Sequence, residues 1–220
     1  MSLNKAWSSK KIVSYFNNNR ATFNSLYKGE KYLISKYVKK TDTVLDIGCA
    51  QGGLFKILKK KFGNIDYTGL DFNKEMINLA KKKIDKNLFF LFTGNNYYSF
   101  FKKKFDVVVI FGILHLNPNW KSILINAYKV AKKRVLFDLR FTSNQDYHLK
   151  NYLSLNFDKK KSKKFSIPYL VLEKKETIKY FKDKFRNSIF DNYSYAGKPS
   201  KYSSIQSKIV FANFCLKKND

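Results

Sequence analysis

The chain has 220 residues, a formal net charge of +28, 44% apolar and 17% aromatic residues, which suits one domain with a sizeable core and excludes a disordered chain. Its longest nearly apolar run, residues 107–114, is far short of the ~20 residues of a membrane span, and residues 1–11 lack a signal-peptide core. Cys49 and Cys215 have neither metal-ligand nor disulfide-framework spacing, so a reduced, cytoplasmic protein without a metal is expected.

Residues 9–40 read as two helices, with Leu33, Ile34, Tyr37 and Val38 at helical spacing. Lys39 and Lys40 follow where cations suit the helix dipole. Residues 43–47 form a short β-branched run that ends at glycine, and 54–62 are helical, with Leu54, Phe55, Ile57 and Leu58 apolar. A second strand is expected over 65–70. Asn73 then caps a helix to about residue 83, with Glu75 in its first turn. Residues 88–93 and 106–111 are the third and fourth strands; the aliphatic run of the fourth suits a strand covered on both faces. A helix over 118–131, with Pro118 near its start, leads to a fifth strand over 134–141. There the alternation breaks. Residues 142–165 are polar and lysine-rich and read as an insertion or lid. Residues 173–184 are helical, and 187–195 and 206–216 are two strands joined through Gly197, Lys198 and Pro199. Alternation of this kind predicts an α/β fold with a doubly wound, mostly parallel sheet and a site at the carboxyl ends of its strands.

The chemistry is concentrated in Val44-Leu-Asp-Ile-Gly-Cys-Ala-Gln-Gly-Gly53. A strand ends in an acid, a glycine turn follows and a helix begins. Glycines permit the tight turn and close approach of a ligand, and the helix start offers N–H groups. Gly48, Ala50 and Gly53 also fit a dinucleotide fingerprint, but Asp46 would repel a pyrophosphate and suits a ligand with a cationic amino group and a sulfonium. Asp71 closes the second strand about 20 residues later, placed to accept from two ribose hydroxyls. Its alternative role is capping the next helix, which Asn73 already fills.

These stretches, with residues 88–95 and 105–116, resemble the class I S-adenosylmethionine-dependent methyltransferases over roughly residues 40–140. The segments Leu26-Tyr-Lys-Gly-Glu30, Phe137-Asp-Leu-Arg140 and Tyr169-Leu-Val-Leu172 look like a group of small bacterial methyltransferase domains. The resemblance implies a Rossmann-like sheet of seven strands closed by a C-terminal antiparallel hairpin, and S-adenosylmethionine as cofactor. It implies one domain over 1–220: a helical cap (1–40), a cofactor-binding core (41–141), an insertion or lid (142–172), and a terminal helix with hairpin (173–220). Asp46 and the backbone of Gly48, Cys49, Ala50 and Gly52 would hold the methionine portion, Asp71 the ribose and Phe72 the adenine. Asn95 stands where the family often has aspartate, near the adenine amino group, and Phe111 with Gly112 would line the cofactor. Ala50 replaces the usual middle glycine, a methyl expected to be tolerated.

The acceptor is approached by exclusion. Adenine-amino enzymes of this kind carry an Asn/Asp-Pro-Pro-aromatic motif after the fourth strand, where this chain has Phe111-Gly-Ile-Leu114; Asn117-Pro-Asn-Trp120 arrives too late. Neither cysteine is placed as a cytosine-C5 nucleophile, and the ribose-methylating Lys-Asp-Lys-Glu pattern lacks its acid at the fourth strand. His115 could take a proton from a hydroxyl, given an ordinary pKa near neutral, or could merely pack. Arg140 could hold an anionic acceptor or pair with an acid such as Glu30. Tyr15, Tyr27 and Tyr169 could wall the acceptor pocket, and His148 is expected to be exposed. Of the 44 basic residues four are arginine, the better reader of phosphate and guanine; the lysine-rich charge suits a solvated surface. The expected partner is a small-molecule or glycan acceptor, with O-methylation favoured. An RNA methyltransferase rests on charge alone, a non-enzymatic scaffold subunit would bind the cofactor without turnover, and a nicotinamide oxidoreductase is opposed by Asp46.

Overall fold

A computed structural model of the chain describes residues 20, 22–94, 96–142, 153–155, 167–205 and 207–219. The first expected helix, most of the 142–165 segment, Tyr15, His148 and Asn95 lie outside the described residues.

Helix α1 (Lys28–Tyr37) precedes β1 (Thr43–Ile47), α2 (Gly53–Phe62), β2 (Asp66–Asp71), α3 (Lys74–Lys83) and β3 (Phe89–Leu91). Then come α4 (Tyr97–Phe101), β4 (Phe105–Ile110), α5 (Trp120–Val130) and β5 (Ala131–Phe141). Strands β6 (Leu153–Leu155) and β7 (Ile167–Tyr169) pair antiparallel, and α6 (Lys174–Lys184), β8 (Ser188–Gly197) and β9 (Ile209–Lys218) complete the order. The sheet has seven strands in the order β3-β2-β1-β4-β5-β9-β8, parallel from β3 to β5 and antiparallel through β9. The Rossmann-like mostly parallel sheet with its C-terminal antiparallel hairpin is thus as expected from the sequence.

Alternation along each strand builds two apolar layers. In β5, Val135, Phe137, Leu139 and Phe141 join a cluster with α5 residues Ile123, Leu124 and Ala127 and with Phe181 of α6. Leu136 faces the opposite layer, with Leu33 and Ile34 of α1 and Phe55 and Leu58 of α2. Asp138 and Arg140 continue on the face of Leu136, so the same alternation delivers two charged side chains to the α1 side. Gly29 lets the first turn of α1 seat on β9, since a Cβ there would lie 2.0 Å from the Asn213 amide nitrogen.

Local chemistry sets the turns. Asn73 Oδ1 accepts from the N–H groups of Glu75 and Met76, at 2.9 and 3.2 Å, and so caps α3. Lysines 59–61 and 81–83 fill the last turns of α2 and α3, where the carbonyl ends favour cations. Two features were not legible in the sequence. Helix α4 has five residues, too few to show a period, and β6 and β7 have three each, inside or beside a segment read as polar insertion. The third strand is also shorter than expected, because pairing with β2 is confined to Phe89–Leu91.

Candidate active site

The cleft opens at the carboxyl ends of β1, β2, β4 and β5. The turn after β1 is wound by left-handed residues: Gly48 at φ 81°, Ala50 at φ 46° and Gly52 at φ 79°. A Cβ on Gly48 would lie 2.3 Å from Ile113, so the turn presses against the segment following β4. The Gly48 and Cys49 amides both donate to Leu70 O, at 2.7 and 2.9 Å, and the Gly52 amide donates to Cys49 O. The Ala50 amide donates to Asp71 Oδ2 at 2.9 Å. Four amides expected to hold a ligand are thus used in shaping the turn, which leaves a ligand the close approach and the first turn of α2. The Cys49 thiol points away from this role: it lies against Gly69 and in the apolar layer with Phe89, and burial raises its pKa well above the ordinary value.

Asp46 is buried at the end of β1, and its Oδ2 accepts from the Tyr67 hydroxyl at 2.6 Å. Asp71 accepts on its other oxygen from the Asn73 amide at 2.8 Å. It therefore ties the glycine turn to the start of α3 as well as facing the cleft. Burial pushes both carboxyls up to about 6. A buried Asp46 and a half-buried Asp71 at such values form an acceptor pair suited to a cationic ligand, which would favour their ionised forms. Phe72, Phe111 and Gly112 line the same cleft. Phe72 also lines a neighbouring hollow with Phe92, Thr93 and Gly94.

The end of the cleft around Arg140 and His115 contains a network that the sequence did not disclose. Asp138 accepts from the Gly112 amide at 2.6 Å and from Arg140 Nη1 at 2.6 Å. His115 Nδ1 lies 3.5 Å from the same Asp138 carboxylate. Arg20 donates to Glu30 and to Phe111 O, while Glu30 Oε2 accepts from the Tyr27 amide at 3.0 Å. The expected alternative pairing of Arg140 with Glu30 is corrected: Glu30 is taken by Arg20, and Arg140 pairs with Asp138, two residues away on the same strand face. Arg140 is also covered by Phe211, whose ring centroid is 4.2 Å from the guanidinium carbon, with Tyr27 at 6.0 Å. The premise of a near-neutral His115 is corrected too. Burial, with Arg140 close by, lowers its pKa to about 3. Tyr27 and Tyr169 line the cleft, and Tyr169 is also part of a buried apolar cluster; Arg20, Met76 and Phe211 join them from segments with no motif to mark them.

Residues 38–193 match the family described as methyltransferase domain. The chain belongs to that family. Its fold is that of the class I S-adenosylmethionine-dependent methyltransferases, and S-adenosylmethionine is the cofactor for which the acids and turn of the cleft are suited. Among curated relatives, an uncharacterised protein of Methanocaldococcus jannaschii is 31% identical over 160 residues, 69% of this chain and 60% of that one. The methyltransferase domain thus spans under two thirds of that relative. Among solved structures, the putative methyltransferase complexed with the Trm112 activator from Haloferax volcanii gives a TM-score of 0.65 at 14% identity, covering 100% of this chain and 99% of that one. The plantazolicin methyltransferase BpumL, in complex with SAH, gives 0.60 at 20% identity, covering 99% and 94%. Among the described residues no helix is long and apolar enough to cross a membrane, and no group of His, Cys, Asp and Glu is arranged to hold a metal.

Proposed function

We propose that this methyltransferase domain transfers the methyl group of S-adenosylmethionine to an oxygen of a small molecule or glycan precursor. The observation that carries the reading is the enclosure of the acceptor side. Arg140 and His115, at 3% and 6% exposure, are buried there under a cluster made by Met76, Leu116, Tyr169 and Phe211. A small acceptor fits beneath such a cover more readily than a folded polymer. Net positive charge remains the support for an RNA acceptor, and charge alone is sequence-independent.

In this reading Asp46 faces the ammonium group of the cofactor and Arg20, beside Phe111, faces its carboxylate. Asp71 accepts from the ribose hydroxyls with the lone pairs left over from its two amide bonds. Phe72 lies against the adenine, and Asn95 is assigned to the adenine amino group. The bound cofactor supplies an electrophilic methyl group on a positively charged sulfur. Arg140 orients the acceptor, and His115, neutral at physiological pH, positions it by a hydrogen bond.

The test is calorimetric titration with S-adenosylmethionine, S-adenosylhomocysteine and NADH at two salt concentrations. Binding of the two adenosyl ligands without NADH is expected. Asp71→Ala should weaken adenosyl binding at least about tenfold and lower stability by about 1–3 kcal/mol, because the Ala50 and Asn73 amides lose their acceptor. Unchanged affinity in that variant would remove the ribose role. Cofactor binding without transfer to any acceptor would favour a scaffold subunit.

A further inference from the structure

Among the described residues, the buried side-chain nitrogens of the cleft without a hydrogen-bond partner are His115 Nδ1 and Arg140 Nε. Both residues line the space that Gly48 and Asp71 also line. Arg140 is fixed at Nη1 and across its plane, which leaves the edge that carries Nε open. Its Nη1 donates to Asp138 Oδ2 at 2.6 Å and to Leu139 O at 3.0 Å. Phe211 covers the guanidinium plane and is itself stacked on Tyr195, at 5.3 Å and 12°. Asp138 cannot turn to satisfy Nε, since its two oxygens are held by the Gly112 amide and by Nη1. A rigid guanidinium with one open edge is a receptor for a planar oxyanion. The walls beside it, Tyr27, Tyr169 and Phe211, are aromatic, which suits an anion carried on an apolar body.

Resting on the assignment of this cleft to methyl transfer, we propose that the acceptor is a carboxylic acid, bound as its carboxylate against Arg140 Nε, and that the product is a methyl ester. A hydroxyl acceptor must lose a proton, and the groups around Arg140 offer no strong base. Asp138 accepts from the Gly112 amide and from Arg140, and burial of His115, with Arg140 close by, opposes its protonation. A carboxylate needs no base. One of its oxygen lone pairs forms the O–CH3 bond as the CH3–S bond breaks. The electron pair of that bond stays on sulfur, which becomes a neutral thioether, and no proton moves. A phosphate would bring more charge and a third oxygen to a single open edge among aromatic rings.

The experiment is calorimetry on the full chain saturated with S-adenosylhomocysteine, titrated with benzoate and with its uncharged isostere benzamide. Benzoate is expected to bind at least about tenfold more tightly. Arg140→Gln should abolish that preference while S-adenosylhomocysteine still binds within about threefold of wild type. Arg140→Lys, which keeps the charge but not the fork, should retain part of the preference and covers the case in which Arg140→Gln fails to fold. Equal binding of the two probes, binding of neither, or a preference that survives in Arg140→Gln would overturn the proposal. Failure of wild type to bind S-adenosylhomocysteine would instead overturn the cofactor reading on which it rests.

Discussion

At Ala50 the backbone asks for glycine and the sequence supplies a methyl. Its φ of 46° is left-handed, a region that costs an L-residue about 1–2 kcal/mol. Glycine would remove that strain but add about 0.4–1 kcal/mol of unfolded-state entropy. Ala50→Gly is therefore expected to stabilise the chain by about 0.5 kcal/mol, read as a small rise in urea midpoint; a clear fall would mean that the methyl packs usefully. His115 makes a second residue-scale prediction. Its folded pKa is about 3, against about 6.5 in an unfolded chain. Below pH 6.5 the unfolded state binds a proton that the folded state refuses, so stability is lost as pH falls toward 3. In His115→Gln that loss is absent. Urea unfolding of the pair should move in favour of the variant by about 1.4 kcal/mol per pH unit between about pH 6 and 4.5. Asp46 and Asp71 act in the opposite sense, since folded values near 6 remove stability as pH rises through the window between their unfolded and folded values, but they are common to both proteins and cancel. A difference that stays flat with pH would show that His115 titrates normally. What the sequence conveyed here was the place of Asp71, His115 and Arg140 around the cleft and of Asp46 beside its turn. It could not convey their partners: Tyr67, Ala50 and Asp138 reach them by strand alignment and turn geometry.

Among the elements, α1 is held on β8 by one carboxylate. Asp191 accepts from the Tyr37 hydroxyl, from Lys36 Nζ at 2.8 Å and from the Tyr32 hydroxyl at 3.4 Å. Tyr37 is buried at 4% exposure, so its hydroxyl has little water to fall back on. Asp191→Ala is expected to cost about 1–3 kcal/mol, and Tyr37→Phe should cost less in the Asp191→Ala background than in wild type. Additive losses in that double-mutant cycle would place the stabilisation elsewhere. The long alternating elements were legible from their apolar periods, and β1 matches its expected limits, Thr43–Ile47. The β6–β7 pair and α4 were not, because three or five residues carry no period and are fixed by what they pack on. Tyr97 of α4 is buried against the α5 layer, and Ile167 and Tyr169 of β7 join the cover of the cleft.

For the molecule as a whole, +28 is a self-repulsion that the fold must outweigh. Raising NaCl from about 0.1 M to about 1 M shortens the Debye length from about 10 Å to about 3 Å. The urea midpoint should rise over that range, and a flat or falling midpoint would show that the lysines are already spaced beyond effective repulsion. Salt-sensitive, sequence-independent RNA binding is expected of any chain with this charge, so observing it would not identify the acceptor.

The succession of strands and helices along the chain, the acid–glycine turn and the acid closing β2 follow from the sequence by itself, because they depend on local periodicity and on spacing within one βαβ unit. Tertiary structure decided which charges meet. Arg20, Glu30, Asp138 and Arg140 are separated by up to 120 positions, yet the N-terminal segment and β5 bring them to one end of one sheet face. Their ionisation depends on burial and on neighbouring charge, quantities with no counterpart in a linear pattern. That is why the sequence could name a histidine and an arginine, while only the fold lowered the pKa of one and left the other with a buried, unpaired Nε.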